Sequence, residues 1–293
     1  MKKFLVLGSN GLLGSRFGDY LDEFDGTFFE TRPSGRGQYH YFDISQANEF
    51  KKLIELVKPE VVINCTGYTN VEKCEKFPEK CWSINCSSVV QIAEICRISA
   101  IKFIHISTDH FIQFNSKKMC EVDAIFPSNQ YSFAKLNAER MISGINPYSL
   151  IIRTNFFEIN INKPRTFLDQ MVINIKSGGK VSSFKDVEFS PISINQLTIS
   201  ILELVKIDYC GIVNIGSINS ISKFDFHNLV LNALNIDTNL HNAVGIDDFL
   251  HLAKRPKNMA LDVTKFGQLT GHEIPEICDM INEEIAIGRQ DVE

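Results

Sequence analysis

The junction between the first apolar run and the glycines that follow it constrains the fold more than any other stretch. Phe4–Leu7 leads into three glycines at three-residue spacing, Gly8, Gly11 and Gly14, and then into a segment with helical apolar spacing. This order predicts a strand, a tight turn and a helix. Glycines in such a turn let the backbone approach a pyrophosphate, whose charge is favoured at a helix N-terminus. A turn of this kind can also be purely structural, so the motif alone leaves both interpretations open.

Composition limits the class of protein. The chain has 293 residues, is 44% hydrophobic and 22% charged, and carries a net charge of −5. These values are typical of a soluble globular protein with one large or two smaller domains. The acidic balance and the lack of a basic stripe argue against a nucleic-acid partner. Only four apolar residues precede Gly8, too few for a signal peptide or a membrane span, which predicts a cytoplasmic protein without a membrane partner.

The cysteines and histidines are not spaced as metal ligands. None of the eight cysteines has C-x-x-C spacing, and the seven histidines are scattered along the chain. Several cysteines lie inside apolar runs, which is typical of reduced core thiols in a cytosolic protein. The sequence therefore predicts no metal site.

Short apolar segments alternate with helical segments through the first half of the chain. The predicted strands are Phe4–Leu7, Thr27–Glu30, Val61–Asn64, Lys102–Ile106 and Tyr148–Ile152. The predicted helices include Ser45–Val57, with Ser45 as its cap, a long one over Glu79–Ser99, and Asn129–Ser143. This alternation predicts an α/β fold with a Rossmann-type doubly wound parallel sheet, residues 1–155 forming an NAD(P)-binding domain. In such sheets ligands bind beyond the carboxyl ends of the strands.

Beyond Arg153 the alternation loosens. A loop is predicted over Phe156–Arg165, and helices over Thr166–Lys176 and Pro191–Val205. Residues 211–216 form one more predicted strand, which returns to the main sheet, and helices dominate from Phe224 onward. Residues 156–293 are therefore predicted to form a smaller, mostly helical substrate-binding lobe.

Thr108, Tyr131 and Lys135 are the candidate catalytic residues. Tyr131 and Lys135 are four residues apart, which puts a phenol and an ammonium on one helix face. A phenol titrates at about 10 in water, and a nearby cation lowers that pKa toward the range useful for proton transfer. The hydroxyl of Thr108, at the end of a strand, is placed to hydrogen-bond a carbonyl oxygen on which charge develops. Y-x-x-x-K alone is a weak signal, but its order after the glycine turn and Ser107-Thr108-Asp109 predicts reduction of a ketone.

These motifs resemble the extended short-chain dehydrogenase/reductase superfamily, and within it the dTDP-4-dehydrorhamnose reductase family. The resemblance covers nearly the whole chain and rests on Val62–Glu75, Asn85, Ser107–Asp109, Tyr131–Glu139, Arg153-Thr154 and Lys254–Asn258. It implies that NADPH reduces a 4-keto nucleotide-activated deoxysugar. By the same resemblance Tyr131 is the general acid, Lys135 also binds the nicotinamide ribose, and Thr108 steadies the carbonyl. Members are often dimers, so the resemblance is compatible with a homodimer.

The glycine turn and the resemblance together imply a set of binding residues. The cofactor-binding residues are Gly8, Asn10, Gly11, Leu12, Leu13, Gly14, Arg32, Asp43, Ile44, Cys65, Thr66, Gly67, Tyr68 and Lys135. The substrate-binding residues are Thr69, His110, Asn155 and Arg255. The choice of cofactor depends on the second strand, because a basic residue at its tip accommodates the 2′-phosphate of NADPH. Arg32 at the tip of this strand would favour NADPH, whereas Glu30 pointing to the ribose would favour NADH. Arg32 is also compatible with a solvated loop position that has no role in binding.

Departures from the family pattern bear on the substrate. His110 stands where relatives have a tyrosine beside the sugar, which either changes the acceptor or reflects drift in a loop. The absence of Glu after Thr108-Asp109 argues against a dehydratase, which would have T-D-E. Two alternatives stay open: a nucleotide-sugar epimerase with retained NAD, and a non-catalytic NADP-binding regulatory subunit. The intact Thr108, Tyr131 and Lys135 argue against the second, since a scaffold needs none of them.

Overall fold

The computed structural model describes residues 2–20, 26–32, 40–41, 43–44, 46–114, 117–249 and 252–290, with the backbone alone at 26–32, 40–41, 47–48 and 289–290. The helices are α1 (Leu12–Arg16), α2 (Ala47–Val57), α3 (Val71–Lys76), α4 (Pro78–Trp82), α5 (Ser88–Ile98), α6 (Gln130–Ile145), α7 (Phe167–Lys176), α8 (Ile194–Lys206), α9 (Lys223–Ala233), α10 (Thr264–Thr270) and α11 (Ile277–Gln290). The strands of the main sheet are β1 (Lys2–Leu7), β2 (Gly26–Arg32), β3 (His40–Tyr41), β4 (Val61–Asn64), β5 (Lys102–Ile106), β8 (Leu150–Thr154) and β13 (Gly211–Ile215). The remaining strands are β6 (Phe111–Ile112), β7 (Phe126–Pro127), β9 (Phe156–Phe157), β10 (Val181–Phe184), β11 (Glu188–Phe189), β12 (Ile192–Ser193), β14 (Ile221–Ser222), β15 (His241–Val244) and β16 (Asn258–Met259).

The main sheet is parallel throughout, in the order β3-β2-β1-β4-β5-β8-β13. Strand order reverses at β1, which creates the crevice where doubly wound sheets bind ligands. The predicted Rossmann-type fold is confirmed. The predicted cap Ser45 lies outside the described residues.

Strand alternation divides the core between the two faces of the sheet. Leu5 and Phe103 pack with α2, α5 and α6 on one face. Their neighbours Phe4 and Ile104 pack with α1 and α8 on the other. Because successive strand residues point to opposite faces, a one-residue slip would exchange the two sets. Burial on both faces explains why the strands read as continuous apolar runs.

The long helix predicted over Glu79–Ser99 is interrupted. α4 begins with Pro78 at its first position, and residues Ser83–Ser87 form one wide π-helical turn before α5. The turn carries buried Asn85, whose side chain bonds the backbone of Tyr68. Apolar spacing cannot reveal a π turn, because the added residue shifts the helix face only locally.

The second half of the chain contains more strands than its sequence pattern predicts. β9, in the predicted loop 156–165, pairs with β12, so α8 begins at Ile194 rather than Pro191. Helices α9, α10 and α11 dominate after Phe224 as predicted, but two short strands lie among them, since β15 pairs with β10 and β16 with β11. These strands have only two to four residues, too few for a periodic pattern.

No helix in the described ranges is long and apolar enough to cross a bilayer. All eight cysteines are free thiols. Across the same ranges no group of three histidine, cysteine or acidic side chains is arranged to hold a metal ion.

Candidate active site

The glycine turn after β1 is shaped by close backbone packing. Gly8 has a φ of +84°, a conformation that glycine adopts without strain. A Cβ on Gly14 would lie 2.8 Å from the carbonyl carbon of Gly8 and 2.9 Å from the Cα of Ser9. A Cβ on Gly8 would lie 3.1 Å from the backbone nitrogen of Thr66, so the turn also meets the segment after β4.

The other predicted residues of the turn are divided between surface and core. Asn10 and Gly11 are exposed, Leu12 is half-buried, and Leu13 packs in the core. Gly11 donates to the carbonyl of Gly8 at 2.9 Å, and no side chain caps the start of α1. The turn is therefore open to a ligand at its outer side, which fits the phosphates of a dinucleotide.

Two buried asparagines shape the segment after β4. Asn64 Oδ1 accepts hydrogen bonds from the backbone nitrogen of Thr66 at 3.1 Å and from its hydroxyl at 2.6 Å. Asn85 accepts from the nitrogen of Tyr68 at 2.8 Å and donates to its carbonyl at 2.9 Å. The predicted cofactor residues Cys65, Thr66 and Tyr68 are half-buried here, whereas Gly67 is exposed.

The N-terminus of α6 is fixed by a capping box. The Asn129 side chain accepts from the backbone of Ser132, and Ser132 bonds back to the backbone of Asn129. Tyr131, Lys135 and Glu139 follow at four-residue intervals, which places all three on the helix face toward the ends of β5 and β8.

Lys135 is held at the carboxyl end of β5. Its Nζ donates to the carbonyl of Ile106 at 2.6 Å and lies 3.1 Å from His105 Nε2. Burial lowers the pKa of Lys135 to about 8, against the opposing effect of Glu139. Burial also holds the pKa of His105 well below its usual value.

His105 and Asn64 were not among the sequence predictions. Asn64 Nδ2 lies 3.2 Å from His105 Nδ1, and the two residues are register partners of β4 and β5. A polar residue at the same level of two adjacent apolar strands is the signal that would have found them.

A buried ion pair connects α6 to the carboxyl ends of β5 and β8. Arg153 donates to Glu139 through Nε at 3.2 and 3.1 Å and through Nη2 at 2.7 Å. The hydroxyl of Ser107 also donates to Glu139. Glu139 thus joins α6 to the ends of β5 and β8, which carry Thr108 and Asn155.

Tyr131 lies beside Thr108, as the motif order predicts. Burial raises the pKa of the phenol above its ordinary value, and the neighbouring Thr108 hydroxyl lowers it. The expectation that Lys135 sets this pKa does not describe the structure, because the Lys135 ammonium is engaged by His105 and Ile106. Tyr131 is thus a protonated phenol at neutral pH, which is the form a proton donor needs.

The predicted substrate residues mostly line one cavity. A cavity of about 300 Å³ is bounded by His110, Asn155, Phe167, Ser182, Ser183, Phe184, Val187, Lys223, His227, Arg255 and Met259. The ring of His110 stands edge-on to that of Tyr131, 6.1 Å between centroids. Thr69, the fourth predicted substrate residue, lies just before α3 in the chain. It is exposed to solvent and does not line this cavity.

Charged groups meet at this cavity. Asn155 donates to Asp109 at 2.8 Å, and burial raises the pKa of Asp109 to about 6. Burial lowers the pKa of Lys223 to about 8, and its Nζ lies 3.2 Å from the ring centre of Phe189. Arg255 pairs with Glu72 at 2.6 Å. Lys223 comes from α9 and was not predicted from the sequence.

Three predicted cofactor residues, Arg32, Asp43 and Ile44, lie at or after the end of β2. Arg32 ends this strand, and its side chain lies outside the described residues. Asp43 is exposed and Ile44 is half-buried against the core.

The chain is similar to known proteins along nearly its whole length. The sequence model of the RmlD substrate binding domain matches residues 1–288. The chain belongs to this family. The resemblance to the dTDP-4-dehydrorhamnose reductases drawn from the motifs is thereby confirmed.

Relatives of this RmlD-family chain cover nearly its full length. It is 27% identical over 282 residues to the probable low-salt glycan biosynthesis reductase Agl14 of Haloferax volcanii, covering 94% of each chain. It is 29% identical over 291 residues to the dTDP-4-dehydrorhamnose reductase of Aggregatibacter actinomycetemcomitans, covering 92% of this chain and 94% of the relative. The solved dTDP-4-dehydrorhamnose reductase of Bacillus anthracis in complex with NADP superposes with a TM-score of 0.89 at 21% identity, covering 98% of this chain and 99% of the other. This last likeness shows that the RmlD-family chain has the same fold.

Proposed function

We propose that this protein is an NADPH-dependent reductase of a 4-keto nucleotide-activated deoxysugar. The observation that carries the proposal is the protonated phenol of Tyr131 beside the Thr108 hydroxyl, next to a cavity large enough for part of a sugar nucleotide. Two curated relatives that cover most of the chain are named as reductases, one of them for dTDP-4-dehydrorhamnose. The acceptor class follows from that likeness.

The mechanism assigns proton transfer to Tyr131. Its hydroxyl donates a proton to the carbonyl oxygen of the substrate as negative charge develops there. The Thr108 hydroxyl donates a hydrogen bond to the same oxygen and so stabilises that charge. Lys135, fixed by His105 and Ile106 at the carboxyl end of β5, would bind the nicotinamide ribose. When bound, NADPH supplies the hydride for the carbonyl carbon.

The residues present fit a dinucleotide. The glycine turn leaves no room for side chains at Gly8 and Gly14, and its outer side would hold the phosphates. The segment Cys65–Tyr68 would bound the nicotinamide side, and Asp43 with Ile44 the adenine side. Arg32 at the tip of β2 supports NADPH over NADH, as does the NADP complex of the Bacillus relative.

The cellular setting belongs to the same proposal. We place the enzyme in the cytoplasm, supported by eight free thiols, which persist in a reducing compartment. Its partner is the sugar nucleotide rather than a nucleic acid, supported by the net charge of −5. A homodimer is consistent with this proposal.

Tyr131→Phe tests the proposed mechanism. Removing the phenolic proton is expected to lower kcat by about 10²–10⁴-fold with a 4-keto nucleotide sugar and NADPH, because general acid catalysis is lost. The measurement is NADPH absorbance at saturating substrate. Tyr148→Phe, at a position 71% exposed, is the matched control and should keep full activity. Undiminished turnover by Tyr131→Phe would remove Tyr131 from the mechanism.

A further inference from the structure

Two histidines from distant parts of the chain line the 300 Å³ cavity. His110 follows β5 and His227 lies in α9. Burial lowers their pKa values to about 4 and about 3, so both rings are neutral at physiological pH. A neutral imidazole carries a proton on only one nitrogen, and the hydrogen-bond partners decide which one.

A chain of three hydrogen bonds fixes the proton of His227. Asn228 Oδ1 lies 2.8 Å from His241 Nδ1, His241 Nε2 lies 2.7 Å from Ser183 Oγ, and Ser183 Oγ lies 2.6 Å from His227 Nδ1. An amide oxygen only accepts, so His241 Nδ1 carries the proton and His241 Nε2 accepts from the Ser183 hydroxyl. Ser183 has no second proton to donate, so His227 Nδ1 must donate to it.

His227 Nε2 is consequently a bare acceptor. This nitrogen has no hydrogen-bond partner within the described ranges. Ser183 and His227 line the cavity together with Lys223 and Arg255.

His110 has the opposite tautomer. Asn129 Oδ1 accepts from the backbone of Ser132, and Asn129 Nδ2 donates to the carbonyl of Lys254 at 2.8 Å, which fixes the orientation of the amide. The same Nδ2 lies 3.1 Å from both Ser128 Oγ and His110 Nδ1, and because an amide nitrogen donates and does not accept, His110 Nδ1 must be the acceptor. His110 Nε2 carries the proton and is a donor.

We propose that His110 and His227 recognise a hydroxyl group of the sugar, with His110 Nε2–H donating a hydrogen bond to its oxygen and His227 Nε2 accepting a hydrogen bond from its O–H. A hydroxyl both donates and accepts, whereas a carbonyl only accepts and an ammonium only donates. The pair therefore selects nucleotide-activated sugars that keep this hydroxyl over those deoxygenated there. This specificity rests on the proposed function, whose substrate the cavity would hold.

Calorimetry with a product and its deoxy counterparts tests the selection. The probes are dTDP-rhamnose, its 2-deoxy form and its 3-deoxy form, titrated into the NADP-loaded enzyme. One deoxy form is expected to bind at least about 10-fold more weakly, because a site built to bond a hydroxyl leaves polar groups unpaired without it. The discrimination ratio is the dissociation constant of that deoxy form divided by the dissociation constant of dTDP-rhamnose. His227→Phe should reduce this ratio to within about twofold, because it weakens the binding of dTDP-rhamnose alone. His227→Gln, which keeps an acceptor, should restore part of it.

A second variant reports on the hydrogen-bond chain without relying on turnover. Ser183→Ala removes the acceptor of His227 Nδ1 and should convert one fixed tautomer, seen in ¹⁵N NMR of the imidazoles, into a mixture. Its discrimination ratio should fall as well, while the fold is kept. Retention of the ratio in both His227→Phe and Ser183→Ala would overturn the inference.

The outcomes separate this inference from the proposed function. Binding of the probes with an altered ratio in the variants, but without reduction of any 4-keto sugar, would contradict the proposed reaction and keep the specificity pair. Reduction of a 4-keto sugar together with an unaltered discrimination ratio in the variants would support the proposed reaction and overturn the specificity pair. Failure of all three probes to bind would overturn both.

Discussion

The catalytic edge and the substrate wall are built in different ways. The catalytic edge comprises Asn64, His105, Ser107, Lys135, Glu139 and Arg153, and its hydrogen bonds join adjacent parallel strands to one helix. The substrate wall comprises His110, Ser183, Lys223, His227 and Arg255, which come from four separate segments. Two of the strands beside the wall, β11 and β16, have only two residues each.

The two regions are expected to differ in how well they tolerate substitution. Each group at the edge is fixed by a neighbour in the sheet register, so replacing one residue disturbs several others. Groups in the wall are fixed by partners outside the main sheet, such as Asn129 for His110 and Ser183 for His227, so single positions can change without moving the sheet. Reaction type is then a property of the edge, and substrate choice a property of the wall.

Glu139→Gln, at the catalytic edge, should cause the largest loss of stability among the variants. Removing one charge of the buried pair leaves Arg153 uncompensated, which is expected to lower the free energy of unfolding by about 3–5 kcal/mol. Urea unfolding measures the change. Glu94→Gln, on the exposed side of α5, is the control and should stay within about 0.5 kcal/mol. Equal changes in the free energy of unfolding at both positions would show that the catalytic edge is no more sensitive to substitution than the exposed surface.

Gly14→Ala tests the glycine turn, which shares the close packing of the edge. The added methyl meets the backbone of Gly8 and Ser9, so stability should fall by about 1–3 kcal/mol. NADPH affinity, measured by calorimetry, should fall with it. Gly18→Ala is a matched control because a Cβ there has no atom within 4 Å. Unchanged NADPH affinity in Gly14→Ala would show that the turn has no role in binding.

Asp109→Asn probes the junction between edge and wall, and its effect should be the smallest. Burial raises the pKa of Asp109 from 3.8 to about 6, so the folded state binds more protons than the unfolded state between these values. The resulting stability is fully present below about pH 4 and is lost as pH rises through about 6, a decrease of about 2 kcal/mol between pH 4 and pH 7. Thermal unfolding from pH 4 to pH 7 should show this decrease in the wild type and a flatter profile in Asp109→Asn. A steeper profile in the variant would contradict the assignment.

The same contrast explains what the sequence could predict. The glycine turn and the Tyr131/Lys135 pair depend on spacing within one element, so they can be recognised without tertiary structure. His105 with Asn64 required only the register of β4 and β5. His227, Ser183 and His241 come together through the pairing of β10 with β15, whose residues are about sixty positions apart in sequence. No local pattern encodes that pairing.

Local sequence patterns also could not predict the π turn or establish the domain boundary. The π turn at Ser83–Ser87 leaves the apolar spacing of the surrounding helix nearly unchanged. The division into residues 1–155 and 156–293 stays a prediction, since α8 packs against α1 and β13 completes the sheet.

β8 and β13 are neighbours in the sheet although residues 155–210 separate them in the chain. During synthesis, the outer edge of β8 consequently has no partner until residue 215 has left the ribosome. An uncovered strand edge is a template for pairing with another chain, so a polypeptide stalled or cleaved in this interval is expected to aggregate.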